Sequence, residues 1–315
     1  MTPRTRAGLV KFRPLRPGGR VALVAPASSF DRSAFDAGVA ELRRLGLDPV
    51  YDDSVFERAV FTAGADTVRA DALRRAWSRP DVDAIVAVRG GYGSVEVLPW
   101  LAIDPIRQAR TAFVGYSDVT SLHTFLTCGV GLASVHGVMV EGRLAVGPSA
   151  YDPDSFLRAL GRDPLGELTS DGLEIIRGGE VVGPLFGGTL TQLLASCGTP
   201  FEFRPPAGHV LFVEEVGERP YRIHRMLTQL KMAGRLREAA AVVFGQLPRC
   251  DEPGGAVTAR DVVRERLGDF PGPVLFGFPS GHTTTPLVSL PLGVDARVIA
   301  VGRPRMVFEE SAAAD

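Results

Sequence analysis

The stretch TAFVGYSDVTSL, residues 111–122, is where the reading of this chain begins. Its apolar residues Ala112, Phe113 and Val114 predict a short buried strand. The run passes into Gly115, Tyr116, Ser117 and Asp118, and residues 119–126 then have helical character. A serine at a sharp strand-to-helix turn has the geometry of a nucleophile elbow. Such a turn lifts the hydroxyl clear of the sheet, and the first N–H groups of the helix point at whatever the hydroxyl attacks. The usual G-x-S-x-G pattern fails at its last position, where Val119 stands. Ser and Asp are also ordinary helix-capping residues, so the turn taken alone reads more readily as a plain helix start.

The flanking sequence predicts what this turn belongs to. Residues 21–26, 84–88 and 133–136 are further short apolar runs, separated by helical spacings over 33–45, 70–77 and 96–101. Strand and helix alternating about every 25 residues predict an α/β unit with an open, doubly wound parallel sheet. The rhythm changes after Gly147, and residues 163–179 are polar and turn-rich. Beyond them strands cluster at 181–186, 209–216, 240–244, 274–278, 288–290, 298–301 and 306–308, with helices at 190–196, 221–232 and 259–267. We therefore expect an α/β nucleophile domain over 1–162, a linker over 163–179 and a C-terminal β-rich domain, α+β or barrel-like, over 180–315. Residues 311–315 read as a frayed tail.

With 315 residues, 45% of them hydrophobic, the chain has ample material for two cores. A net charge of −1 gives no electrostatic footprint for nucleic acid or an acidic membrane surface. The three cysteines, Cys128, Cys197 and Cys250, lie far apart with no C-x-x-C pairing, which argues against a zinc site or a disulfide framework. The basic N-terminus has no continuous apolar segment, so the expectation is a cytoplasmic protein with no membrane partner.

Three other regions could carry chemistry. The loop Arg89, Gly90, Gly91, Tyr92, Gly93 follows a strand and precedes a helix. It reads as a phosphate cradle, as a tight turn, or as an oxyanion donor beside Ser117, because ligands gather at the carboxyl edge of open α/β sheets. Of the five histidines, His123, His136, His209 and His224 lie within or at the ends of predicted elements. His282 lies in a loop of small residues after a strand, where catalytic side chains concentrate, although it could equally be a surface histidine. Glu214 and Glu215 end an apolar run. By strand alternation Glu214 faces the same side as Phe212 and Glu215 the opposite one, so one carboxylate must lie among apolar groups and find a partner there. The alternative is an ion pair with Arg219, Arg222 or Arg225.

Taken in order, RGGYGS from Arg89, GYSDVTSLH from Gly115, GGTLTQLLASCGTP from Gly187, LFVEEVGERPYRIHRMLTQL from Leu211 and the Gly281-His282 loop resemble the LD-carboxypeptidases, the muramoyl-tetrapeptide carboxypeptidases of cell-wall recycling, with the microcin-immunity peptidases as cousins. The resemblance runs from about Val21 to Phe308. It implies a serine peptidase with Ser117 as nucleophile, Glu214 as acid and His282 as base, and backbone N–H groups of Gly91 and Asp118 as oxyanion donors. It also implies a site between two domains, a murein peptide as substrate, a homodimer, and no metal or other cofactor. A carboxypeptidase must also read a free carboxylate, for which a guanidinium fork is suited. Arg89, Arg222 and Arg225 are the candidates, unless each only braces its loop against Glu96, Glu215 or Glu218.

Overall fold

The computed structural model describes residues 9–315; the first eight residues of the basic N-terminus, part of the stretch expected to carry no export signal, lie outside the described residues. In chain order the strands are β1 (Arg20–Val24), β2 (Asp48–Val50), β3 (Ala84–Ala87), β4 (Ala112–Gly115), β5 (Ser134–His136), β6 (Gly166–Leu168), β7 (Glu174–Arg177), β8 (Gly179–Thr189), β9 (His209–Glu214), β10 (Ala239–Gly245), β11 (Val274–Phe278), β12 (Leu290–Leu292), β13 (Asp295–Ala300) and β14 (Arg305–Phe308).

Six of them form one sheet in the order β12–β5–β4–β3–β1–β2, in which β1 to β5 run parallel. Strands β3 and β4 are buried along their whole length, as expected of apolar runs covered on both faces. Helices Arg32–Arg44 and Asp66–Ser78 supply crossovers, the first started by Asp31, whose carboxylate accepts the Ala34 N–H at 2.9 Å. Strand order reverses between β1 and β3, and the crevice at such a reversal is where α/β sheets bind ligands. The glycine loop leaves β3 at that crevice, and the Ser117 turn leaves β4 beside it.

The remaining eight strands form one mixed sheet, β6–β14–β13–β8–β9–β10–β11–β7, with β8 to β11 parallel and the other pairs antiparallel. Its edges, β6 and β7, both come from the polar stretch 163–179, where half-buried positions let a charged sequence pair as edge strand. Residues of β9 divide between the two cores. Val210 and Phe212 pack with the first sheet, whereas Leu211 and Val213 pack under helices Leu190–Ala195 and Pro220–Met232.

Two expectations need correcting. The strand expected near 288–290 is β12, and it joins the first sheet antiparallel to β5, with Leu290 opposite His136. An edge position tolerates Pro291, and the apolar flanks of β5 needed covering. The C-terminal tail is not frayed. Ala312 and Ala313 are buried, the Ala314 N–H donates to the Phe12 carbonyl at 2.9 Å, and the Arg110 guanidinium holds the Ala314 carbonyl at 2.6 Å. Small side chains let this segment lie close against the first sheet's margin. Among the described residues no helix is long and apolar enough to cross a membrane.

Candidate active site

Ser117 adopts φ +67°, left-handed backbone that a residue with a Cβ occupies only where its surroundings force it. The turn is a single 3₁₀ turn, Ser117–Val119, followed by the short helix Thr120–Thr124 and a π-helical segment, Phe125–Val130. The expected single helix is thus broken into three types. His123 anchors the base of the turn, with Nε2 at 2.8 Å from the Gly115 carbonyl.

The glycine loop lies directly on the elbow. A methyl group built on Gly90 would stand 3.2 Å from both Ser117 Oγ and the Asp118 backbone nitrogen, so the absence of a side chain there keeps the space in front of the hydroxyl open. Gly91 follows with φ +93°. Ser28, in the loop that follows β1, ties the glycine loop down: its N–H donates to the Gly90 carbonyl at 3.1 Å and its hydroxyl accepts the Tyr92 N–H at 3.0 Å. Behind the loop the buried Arg69 donates to the carbonyls of Pro26 (2.6 Å) and Gly93 (2.7 Å) and pairs with Glu96. The Asp118 carboxylate accepts the Ser94 N–H at 2.8 Å, which fixes the elbow to the helix that follows the glycine loop.

Glu214 and His282 meet from the second sheet. Glu214 is fully buried at the end of β9, and its Oε2 accepts both the His282 backbone N–H (2.8 Å) and Nδ1–H (2.7 Å). The same carboxylate thereby orients the loop and the ring. Gly281 makes this approach possible: its φ is +80°, and a Cβ there would lie 2.6 Å from Glu214 Oε2. Burial by itself would raise the Glu214 carboxyl, but the charge and hydrogen bonds of His282 outweigh it and hold the group at about 2. Burial likewise pushes His282 down, and the Glu214 charge and hydrogen bond reverse that, leaving the imidazole raised. The two shifts describe one coupled pair that favours imidazolium beside carboxylate.

The elbow and this pair are brought together through Tyr116, whose ring stands edge-on to the His282 ring with centroids 5.1 Å apart. Arg143, which the sequence reading passed over, donates to the Thr283 carbonyl and hydroxyl at 2.8 Å each and so pins the segment after His282. His136 is buried nearby, with its ring 5.2 Å from Phe212, and burial lowers it to about 4. Glu215 faces away from this pair: it accepts the Thr191 N–H (2.9 Å) and hydroxyl (2.7 Å) at the start of helix Leu190–Ala195.

The candidate arginines are divided. Arg89 lies at the glycine loop, paired with Glu141 at 3.1 Å and donating to the Ser29 carbonyl at 2.9 Å. Arg222 pairs with Glu218 at 2.6 Å, and the Arg225 guanidinium lies over the Tyr221 ring at 5.9 Å, both on helix Pro220–Met232. Neither bonds to the Glu214–His282 pair.

An elbow serine from the first sheet and a buried carboxylate–imidazole pair from the second, linked through the Tyr116–His282 ring contact, fit the class of a hydrolase. Comparison with known proteins narrows it. Residues 21–137 match the LD-carboxypeptidase N-terminal domain and residues 182–298 the LD-carboxypeptidase C-terminal domain. The murein tetrapeptide carboxypeptidase of Pseudomonas aeruginosa is 30% identical over 272 residues, covering 84% of this chain and 88% of its own. The solved muramoyltetrapeptide carboxypeptidase of Oxalobacter formigenes superposes with a TM-score of 0.83 at 26% identity, covering 94% of this chain and all of that one. The microcin C7 self-immunity protein MccF, solved with aspartyl sulfamoyl adenosine, shares the fold with a TM-score of 0.89 at 22% identity, covering 97% and 100%. The chain belongs to the LD-carboxypeptidase family of peptidases.

Proposed function

We propose that this chain is a cytoplasmic serine carboxypeptidase that removes the terminal D-Ala from murein tetrapeptides by hydrolysing an LD-peptide bond. The observation that carries the reading is the buried Glu214–His282 pair, which leaves Nε2 as the free nitrogen of an imidazole whose neighbour Tyr116 precedes the strained Ser117. His282 Nε2 takes the Ser117 proton as Oγ attacks the carbonyl carbon. The oxyanion forms against the backbone N–H groups of Asp118 and the glycine loop around Gly91. His282 then returns the proton to the amine of the leaving D-Ala, giving an acyl-enzyme that water hydrolyses by the same route. Glu214 keeps the Nδ1–H tautomer and stabilises the imidazolium. The family resemblance supports a homodimer as the working form. Mass spectrometry of a tetrapeptide pool incubated with the protein tests the activity: loss of one alanine is expected, and an unchanged pool rejects it.

A second reading, cleavage of an aminoacyl or peptidyl nucleotide, draws support from one feature. Phe61 and Tyr92 are exposed on the rim of the glycine loop with ring centroids 6.3 Å apart, which would suit a nucleobase. Hydrolysis of an aminoacyl sulfamoyl adenosine in preference to the tetrapeptide would decide for it.

Two consequences arise here. Gly90→Ala places a methyl group in the space the oxyanion needs without demanding forbidden backbone, so kcat should fall by about 10²-fold or more. Tm should fall modestly, because the methyl also comes to 3.0 Å from Ser117 Cβ and the turn must give slightly. Steady-state kinetics and a melting curve check this. Arg89 is the candidate best placed to read the terminal carboxylate. Arg89→Met should depress kcat/KM for the free-acid tetrapeptide by about 30-fold or more relative to the same peptide with an amidated terminus, whereas Arg222→Met and Arg225→Met should not discriminate. Equal loss on both substrates in all three variants removes these arginines from carboxylate recognition.

A further inference from the structure

We propose that Thr189 is a positioning residue that joins the nucleophile turn to the carboxylate orienting His282; the inference rests on the reading of Ser117, Glu214 and His282 as the reacting group. The segment from Gly187 to Gln192 belongs to a motif that the proposed chemistry leaves without a role. Thr189 closes β8 in parallel register with Glu214 at the end of β9, so the two side chains leave adjacent strands on one face. The Thr189 hydroxyl donates to Glu214 Oε1, the oxygen that His282 does not use. With both oxygens engaged, the buried carboxylate is held against rotation about its terminal torsion. The backbone N–H of the same threonine donates to Thr120 Oγ1 at 3.1 Å, and Thr120 lies three residues after Ser117 in the elbow. Both threonines are buried. One turn further, Gln192 Nε2 donates to Asp118 Oδ1 at 3.0 Å.

The nucleophile and the acid–base pair come from two different sheets. Their alignment depends on what crosses the seam, and misplacement by about an ångström costs on the order of 10²-fold in rate. A threonine suits this seam because it serves both sides from one residue, with its hydroxyl toward the carboxylate and its amide toward the elbow. The other groups facing the pair are the buried His136 ring, the Tyr116 ring and the Arg143 guanidinium at the loop after His282, while the Glu215 carboxylate acts through its charge from the opposite face of β9.

Thr189→Val keeps the shape and the backbone link but removes the donor, whereas Thr189→Ser keeps the donor. The test combines kinetics on the tetrapeptide with the titration of the His282 ring followed by NMR, assigned with His282→Ala. In Thr189→Val, Glu214 Oε1 loses its donor and the less stabilised carboxylate holds the imidazolium proton more tightly. The His282 titration should move upward by about half a pH unit or more. Turnover should fall by about 10- to 100-fold with KM within about twofold. Thr189→Ser should restore both. Thr120→Val, which removes the acceptor on the elbow, should lower kcat by about 10-fold while leaving the His282 titration unchanged. An unmoved titration and undiminished kcat in Thr189→Val, a loss that Thr189→Ser does not restore, or normal kcat in Thr120→Val would each overturn the proposal. If the unaltered protein hydrolyses no tetrapeptide, the proposed activity falls, and the titration still decides the role of Thr189.

Discussion

Replacing Ser117 by alanine is expected to lower kcat/KM for a murein tetrapeptide by about 10⁴- to 10⁶-fold, because it removes the attacking atom while leaving the oxyanion donors and substrate contacts in place. Residual turnover should reflect binding and the backbone N–H groups alone. The fold should persist, since the Ser117 hydroxyl is not part of either core. Ser117→Gly separates strain from chemistry. Glycine occupies φ +67° without steric cost, so this variant should be equally inactive yet more stable than Ser117→Ala, by about 1 kcal/mol. Steady-state assays and thermal melts of the two variants decide the matter. Near-normal turnover in either would end the serine mechanism, and equal Tm values would show that the turn stores no strain.

The second large effect is expected at Glu214. Glu214→Gln retains the shape of the side chain but loses the charge that orients and stabilises the imidazolium, and the comparable change in a Ser-His-Asp triad costs about 10⁴-fold in kcat. The pH profile should change with it. In the unaltered protein the imidazole is raised by the Glu214 charge and hydrogen bond against the effect of burial, so the acid-side fall of kcat/KM should be displaced upward from the ordinary histidine value. The Glu214 carboxyl, held at about 2, stays ionised through that window and does not set the limb. Without the charge, burial is no longer offset, so the limb should move to lower pH even as the maximum collapses. Glu215→Gln should behave differently. Its carboxylate accepts the Thr191 N–H at the start of a helix, and its charge raises His282 less than that of Glu214 does. The variant should therefore lose stability and shift its pH profile downward by less than Glu214→Gln does. A larger loss of activity in Glu215→Gln than in Glu214→Gln would reverse the assignment of the pair.

Sequence alone determined the elements whose cause is local. The alternation of apolar runs and helical spacings marked out β1, β3, β4 and β5 and their crossovers, because periodicity reflects which side of each element is covered. Period-two alternation in β9 likewise assigned Glu214 to the face of Phe212, and that face packs on the first sheet. Ser117, Glu214 and His282 were legible as candidates because each sits at a strand end or turn within a recognisable motif. Tertiary structure alone decided whatever depends on contacts between distant segments. The crossing of β12 to the first sheet, the docking of the C-terminal Ala312 and Ala313, and the pairing of β6 and β7 at opposite edges of the second sheet depend on which surfaces remain uncovered after the rest has folded. The pairing of Arg89 with Glu141 depends on which carboxylates those surfaces bring near, whereas Arg222 and Arg225 find local partners four residues away in Glu218 and the Tyr221 ring. The closeness of Gly90 to Ser117 and the double bonding of Thr189 are likewise set by the register of neighbouring strands, Thr189 opposite Glu214, and a register is a relation between segments that no single segment encodes.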